Sequence, residues 1–205
     1  MTTEAQSNQQ GVNKKKAISL NHYDMLFDPL EFALMYKPSF HEVLTATGTI
    51  RVVNLFSGDR WDSLKTIQFL AKIFPSSAIS VTAVDIEIAH SEEAMQALRQ
   101  LVIEALPITY AFEFIQLDAL EYLKSLPDNS VEIITAFGSD PYLSGFLNRG
   151  LLKQFLDECF RVGKDQAALV VPYLDGKDFA RTLPKNSFEY QSGGIITLQK
   201  NIAKT

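Results

Sequence analysis

Two carboxylates and one glycine carry the chemistry that the spacing of this chain allows. Gly58 follows the apolar run from Ile50 to Leu55, Asp85 ends the run from Ala78 to Val84, and Asp118 ends the run from Tyr110 to Leu117. Each run has the length and near-continuous apolarity of a buried strand. Beyond Gly58, Leu64, Ile67, Leu70, Ala71 and Phe74 recur at helical spacing. A strand, a tight turn and a helix in that order place backbone N–H groups and a helix N-terminus at the end of a strand, where α/β proteins bind nucleotides. A carboxylate at the tip of the second strand can accept both hydroxyls of a ribose, and one after the third can accept the exocyclic amine of adenine. Gly58 lets the backbone approach the ligand, because no side chain intervenes. The turn has one glycine, so the three-glycine dinucleotide fingerprint is absent and a pyrophosphate would be poorly cradled. The combination points to adenosine without a diphosphate.

The elements that must position these residues alternate. Asp28-Pro29 resembles a helix start, and Ser39 with Glu42 has capping-box spacing for a second short helix. Asp62 or Ser63 is the expected cap of the helix after Gly58, and Pro75 stops it. Ser91, with Glu92 and Glu93, opens a helix that buries Met95, Leu98 and Leu101. A short helix follows Asp118, with Leu120 and Leu123 inward. The turn Pro127-Asp128-Asn129-Ser130 leads into a fourth strand, Val131 to Phe137. After a loop with Gly138 and Pro141 comes a helix with Leu152, Phe155, Leu156 and Cys159 on one face, Gly163 as its C-terminal cap, and a fifth strand, Ala167 to Leu174. Phe188 to Gln191 and Ile195 to Lys200 flank Gly193-Gly194 as a hairpin. The expected fold is α/β: a doubly wound, mostly parallel seven-stranded sheet with a C-terminal antiparallel hairpin, preceded by N-terminal helices. Residues 1–18 are expected to be a disordered polar tail. Residues 19–205 form one domain, with a helical cap over 19–48 and the core over 49–205.

Composition narrows the class of partner. A net charge of −5 over 205 residues disfavours a surface dominated by phosphate-backbone contacts. The single cysteine, Cys159, excludes an internal disulfide and fits a reducing, cytoplasmic setting. No apolar run approaches the roughly 20 residues of a membrane span, so no membrane partner is expected. No metal site is expected either.

With these motifs in place, the chain resembles the class I S-adenosylmethionine-dependent methyltransferases over about residues 50 to 200. NLFSGD stands where that family has its glycine-rich first motif, TAVDIEIA resembles its acidic ribose motif, and FIQLDALEYLKSLPDNSVEIITAFG resembles the segment that meets adenine and enters the fourth strand. The resemblance implies S-adenosylmethionine as cofactor. It implies that Phe56, Ser57 and Gly58 line the methionine and ribose part, that Asp85 holds the ribose, and that Ile86 packs on adenine. Asp118 and Ala119 would contact adenine, with Phe137 at the end of the fourth strand. The chain departs from the family pattern at Asn54, where an acid is usual, and at Phe56 and Arg60, where glycines are common. The expected activity is methyl transfer to an acceptor the sequence does not identify, with a small molecule or protein favoured over nucleic acid.

Plainer readings stand beside these. Asp85 and Asp118 can each serve as a helix N-cap. Asp140 and Tyr142 occupy the position where methyl acceptors are held and are the candidates for a general base, while a loop role with Asp140 as a cap is equally open. Cys159 at helical spacing with Phe155 reads as core. The departures at Asn54, Phe56 and Arg60 motivate the alternative of a catalytically inactive methyltransferase-like binding or scaffold protein. A nicotinamide-dependent oxidoreductase of the same architecture is disfavoured by the missing glycines.

Overall fold

The computed structural model describes residues 42, 44, 48–57, 61–86, 109–136, 151–170, 188–191 and 195–198. In chain order the elements are β1 (Thr49–Leu55), α1 (Trp61–Ile73), β2 (Ala78–Asp85), β3 (Tyr110–Gln116), α2 (Ala119–Ser125), β4 (Val131–Thr135), α3 (Leu152–Val162), β5 (Gly163–Val170), β6 (Phe188–Gln191) and β7 (Ile195–Leu198). The strands lie in the order β3-β2-β1-β4-β5-β7-β6. β1 to β5 are mutually parallel, and β7 pairs antiparallel with both β5 and β6. The chain leaves β1 to one side for β2 and to the other for β4, so the direction of winding reverses between β1 and β4. That reversal is where open α/β sheets open a ligand crevice.

Alternation along the strands sends side chains to two separate cores. On one face Ile50, Val52, Val81 and Ile133 meet Ile67 and Leu70 of α1 and Phe74 just beyond it, together with Leu44. On the other Val53, Leu55, Ile134 and Leu169 meet Leu123 of α2 and Phe155, Leu156 and Cys159 of α3. Cover on both faces explains why β4, at the centre of the sheet, is buried at every position. Burial pushes the Cys159 thiol up, so it stays protonated at neutral pH and acts as core packing.

Several boundaries differ from the sequence reading. α1 begins at Trp61, so Asp62 and Ser63 are helical residues and not its cap; Ser63 is buried and accepts a hydrogen bond from Asn54 Nδ2 at 2.8 Å. The fourth strand ends at Thr135, two residues short of Phe137. β5 starts at Gly163, directly after α3, and not at Ala167. Gly163 closes α3 with φ −63° and ψ 139°, an extended conformation that hands the chain straight to the strand. Two steps along β4, Val131 to Ile133, match five along β5, Gly163 to Ala168, and Gln166 takes φ 63° within that bulge. The bulge lets Lys164 pair with Glu132, which is buried in β4 and also accepts from the Arg51 backbone N–H at 2.9 Å. A charged Lys164-Asp165-Gln166 string reads as loop, whereas here one buried carboxylate draws it into the sheet.

The segments expected to be the tail, the two N-terminal helices up to Phe40, the helix after Ser91 and the Gly193-Gly194 turn lie outside the described residues. Among the described residues no helix is long and apolar enough to cross a membrane.

Candidate functional site

The C-terminal tips of β1, β2 and β3 are tied together by backbone hydrogen bonds. Ser57 N–H donates to the Val84 carbonyl at 3.1 Å, and Leu117 N–H donates to the Asp85 carbonyl at 3.0 Å. Gln116 Nε2 adds a bond to the Ile86 carbonyl at 3.2 Å. These bonds place Ser57, Asp85 and Asp118 in a row along one edge of the sheet. With strands about 4.8 Å apart, the row from β3 to β1 spans about 10 Å.

Phe56 is the turn residue that sequence reading sets apart. Its φ is 57°, in the left-handed region that glycine adopts freely and a bulky side chain does not. The backbone therefore takes here a conformation that glycine would adopt without strain. The Phe56 ring packs 6.1 Å from that of Phe155, tilted by 36°, which anchors the strained turn to the α3 core. Ser57 is buried beside it.

Asp118 caps α2. Its Oδ1 accepts from Leu120 N–H at 2.9 Å and Glu121 N–H at 3.2 Å, while Oδ2 accepts no bond among the described residues. The plainer reading of Asp118 as a cap holds, and one carboxylate oxygen is left over for a second task. The far end of α2 is held by Arg161, whose guanidinium donates to the Leu123 carbonyl at 2.9 Å, the Leu126 carbonyl at 2.8 Å and Asp128 at 2.6 Å. Asp118→Ala should destabilise the fold by about 1 kcal/mol and Asp118→Asn by much less, because asparagine caps nearly as well; thermal unfolding of the two variants checks this.

Next to these carboxylates lies an apolar step that sequence reading found only in part. Ile86 is 49% exposed and Leu117 is 39% exposed, the two large apolar side chains that the described surface leaves open. They sit at adjacent strand ends, between Asp85 and Asp118. Ile86 was expected there; Leu117 was expected to belong to the strand, yet β3 ends one residue before it. Ala119 is buried in the first turn of α2.

A polar group faces α1 at the head of β1 and β4. Asn54 and Thr135 are Cα partners on these strands, and both are buried. Asn54 Oδ1, Thr135 Oγ1 and Ser57 Oγ are buried with no hydrogen-bond partner among the described residues. Gly58, Phe137, Asp140 and Tyr142 lie outside the described residues, and so do Asp59 and Arg60.

No family model and no curated protein sequence matches this chain. Solved structures do. MNMC2 from Aquifex aeolicus superposes with a TM-score of 0.56 at 13% identity, covering 78% of this chain and 56% of its own. This chain thus spans little more than half the length of that protein. A protein from Corynebacterium glutamicum gives 0.47 at 13% identity, covering 88% and 91% of the two chains. An arsenic(III) S-adenosylmethionine methyltransferase from Chlamydomonas reinhardtii gives 0.41 at 19% identity, covering 69% and 47%. The fold is that of the class I S-adenosylmethionine-dependent methyltransferases.

Proposed function

We propose that this protein binds S-adenosylmethionine along the tips of β1 to β3 and transfers its methyl group to a small-molecule or protein acceptor. The observation that carries the reading is the row Ser57, Asp85, Ile86, Leu117, Asp118, tied strand to strand by backbone bonds. The residues suit the ligand. The exposed Ile86 and Leu117 give an apolar seat for a planar base, and the spare Oδ2 of Asp118 can accept its amine. Asp85, one strand over, can take the ribose hydroxyls. Phe56, Ser57 and Gly58 then approach the methionine part, with Ala119 and Phe137 completing the lining.

When bound, the sulfonium supplies an electrophilic methyl group. The chain's part is to hold the nucleoside rigidly, exclude water and aim the acceptor, since direct displacement depends mainly on alignment. Asp140 and Tyr142, after β4, are the residues for a general base where the acceptor must lose a proton. The lone buried thiol fits action in a reducing compartment such as the cytoplasm.

Calorimetry with S-adenosylmethionine and S-adenosylhomocysteine tests the reading. Binding of both is expected, with none of NADH. Absence of binding by both adenosyl compounds would overturn it.

A further inference from the structure

Resting on the adenosine reading above, we propose that Tyr122 is a positioning residue for Asp118. It fixes α2 against β2 and so sets the separation of Asp118 from Asp85, by which the site selects adenine over hypoxanthine, its deaminated counterpart.

Asp118 moves with α2. Its Oδ1 is bound to the first-turn N–H groups of Leu120 and Glu121, and its carbonyl accepts from Tyr122 N–H at 2.9 Å. Where α2 goes, Oδ2 goes. With seven residues, α2 is too short to hold its place without tertiary contacts. Its C-terminal end is clamped to α3 by Arg161. Its body is set on the sheet through Tyr122, which is 7% exposed and shares a core with Val84 of β2 and Ile115 of β3.

The phenol adds a polar tie. Strand alternation turns Thr82 to the same face as Val84, and the Tyr122 and Thr82 side chains hydrogen-bond there. Burial pushes the phenol up; the Thr82 bond offsets part of that rise, and the carboxylate of Glu113, the β3 partner of Thr82, adds to it. The phenol therefore keeps its proton at neutral pH. These contacts close a ring. From Asp85 it runs back along β2 to Thr82, across to Tyr122 and up one helical turn to Asp118, and it returns through Leu117 N–H to the Asp85 carbonyl at 3.0 Å. Every other link in that ring is main chain, so the phenol is the one a substitution can remove without breaking the backbone.

The spacing matters because of what Oδ2 meets. The amine of adenine donates to it, whereas hypoxanthine presents a carbonyl and sets two acceptors against each other. A shift of α2 by about 1 Å carries the N···O distance out of hydrogen-bond range. Adenine then loses its advantage, while the apolar seat serves both bases alike.

Calorimetry with S-adenosylhomocysteine and S-inosylhomocysteine tests the role of Tyr122. The unaltered protein should prefer the adenosyl compound by at least about tenfold, the lower worth of a hydrogen bond to a charged group. Tyr122→Phe keeps the ring and removes the bond; Thr82→Val removes the same bond from the β2 side. Each should reduce the preference by more than about threefold, since a bond held outside its distance range keeps little of its strength. A merely structural role would lower thermal stability and both affinities together and leave the ratio alone. A smaller change of ratio in either folded variant overturns the proposal. So does a weaker preference in the unaltered protein, for Asp118 then takes no amine, although the adenosine reading stands. If neither compound binds, that reading itself fails. Where one variant shows no cooperative thermal transition, the other decides.

Discussion

Asp85→Ala is expected to weaken S-adenosylhomocysteine binding by about ten- to hundredfold. The magnitude follows from the chemistry of the contact. A hydrogen bond to a charged group contributes about 1.5–3 kcal/mol, and about 1.4 kcal/mol is tenfold in affinity. Two ribose hydroxyls on one carboxylate put the loss in the upper part of that range. The Asp85 side chain is half-buried, and the backbone bond between its carbonyl and Leu117 N–H survives the substitution, so the tips of β2 and β3 stay together. Asp85→Asn, which keeps one acceptor oxygen and loses the charge, should fall between the two. Calorimetry paired with a thermal scan separates a binding loss from unfolding. Unchanged affinity in Asp85→Ala would refute the ribose contact. Asp118→Ala offers the contrast, since it removes a cap and a ligand contact together and should move stability and affinity at once.

The centre of the sheet was legible because both of its faces are covered: β4 is buried at every position and reads as an apolar run. Toward the edge the burial falls away, alternating in β2 and nowhere complete in β3, and there the aspartates after the runs, Asp85 and Asp118, marked the strand tips. The boundaries that sequence reading missed share a different cause. Asp62 and Ser63 have the residue types of a cap, but tertiary contact overrides that preference: Ser63 is drawn inward as the partner of Asn54. Lys164 to Gln166 has the composition of a turn, yet Lys164 answers a carboxylate 32 residues earlier. No local pattern carries a contact of that sequence separation.

Phe56 and Asn54 serve the end of β1 in different ways. At Phe56 φ is positive, and a packed ring can hold such a conformation at some cost in strain. At Asn54 an uncharged amide ties β1 to the first turn of α1 through Ser63.

Phe155→Ala should be the most destabilising single substitution in the described core, costing about 3–5 kcal/mol, the range for phenylalanine truncated in a packed interior. Phe155 is fully buried and is the bulkiest of the side chains that are so. It stands between α3 and the sheet among Leu55, Ile134 and Leu169, secondary structure whose backbone cannot collapse into the space. In a chain of this size each kcal/mol shifts the melting temperature by about 2–4 °C, so a fall of roughly 6–20 °C is expected. The same ring also holds Phe56 in its left-handed conformation. Its loss should therefore loosen the turn before Ser57 and lower adenosine affinity, a double effect that a purely structural core residue would not give. Phe155→Leu restores most of the volume and should recover most of the stability, with a residual cost of about 1–1.5 kcal/mol. Leucine presents no ring to Phe56, so the affinity should recover less than the stability does. Affinity that tracks stability in both variants would show that Phe155 supports the core alone and that the turn is held by other contacts.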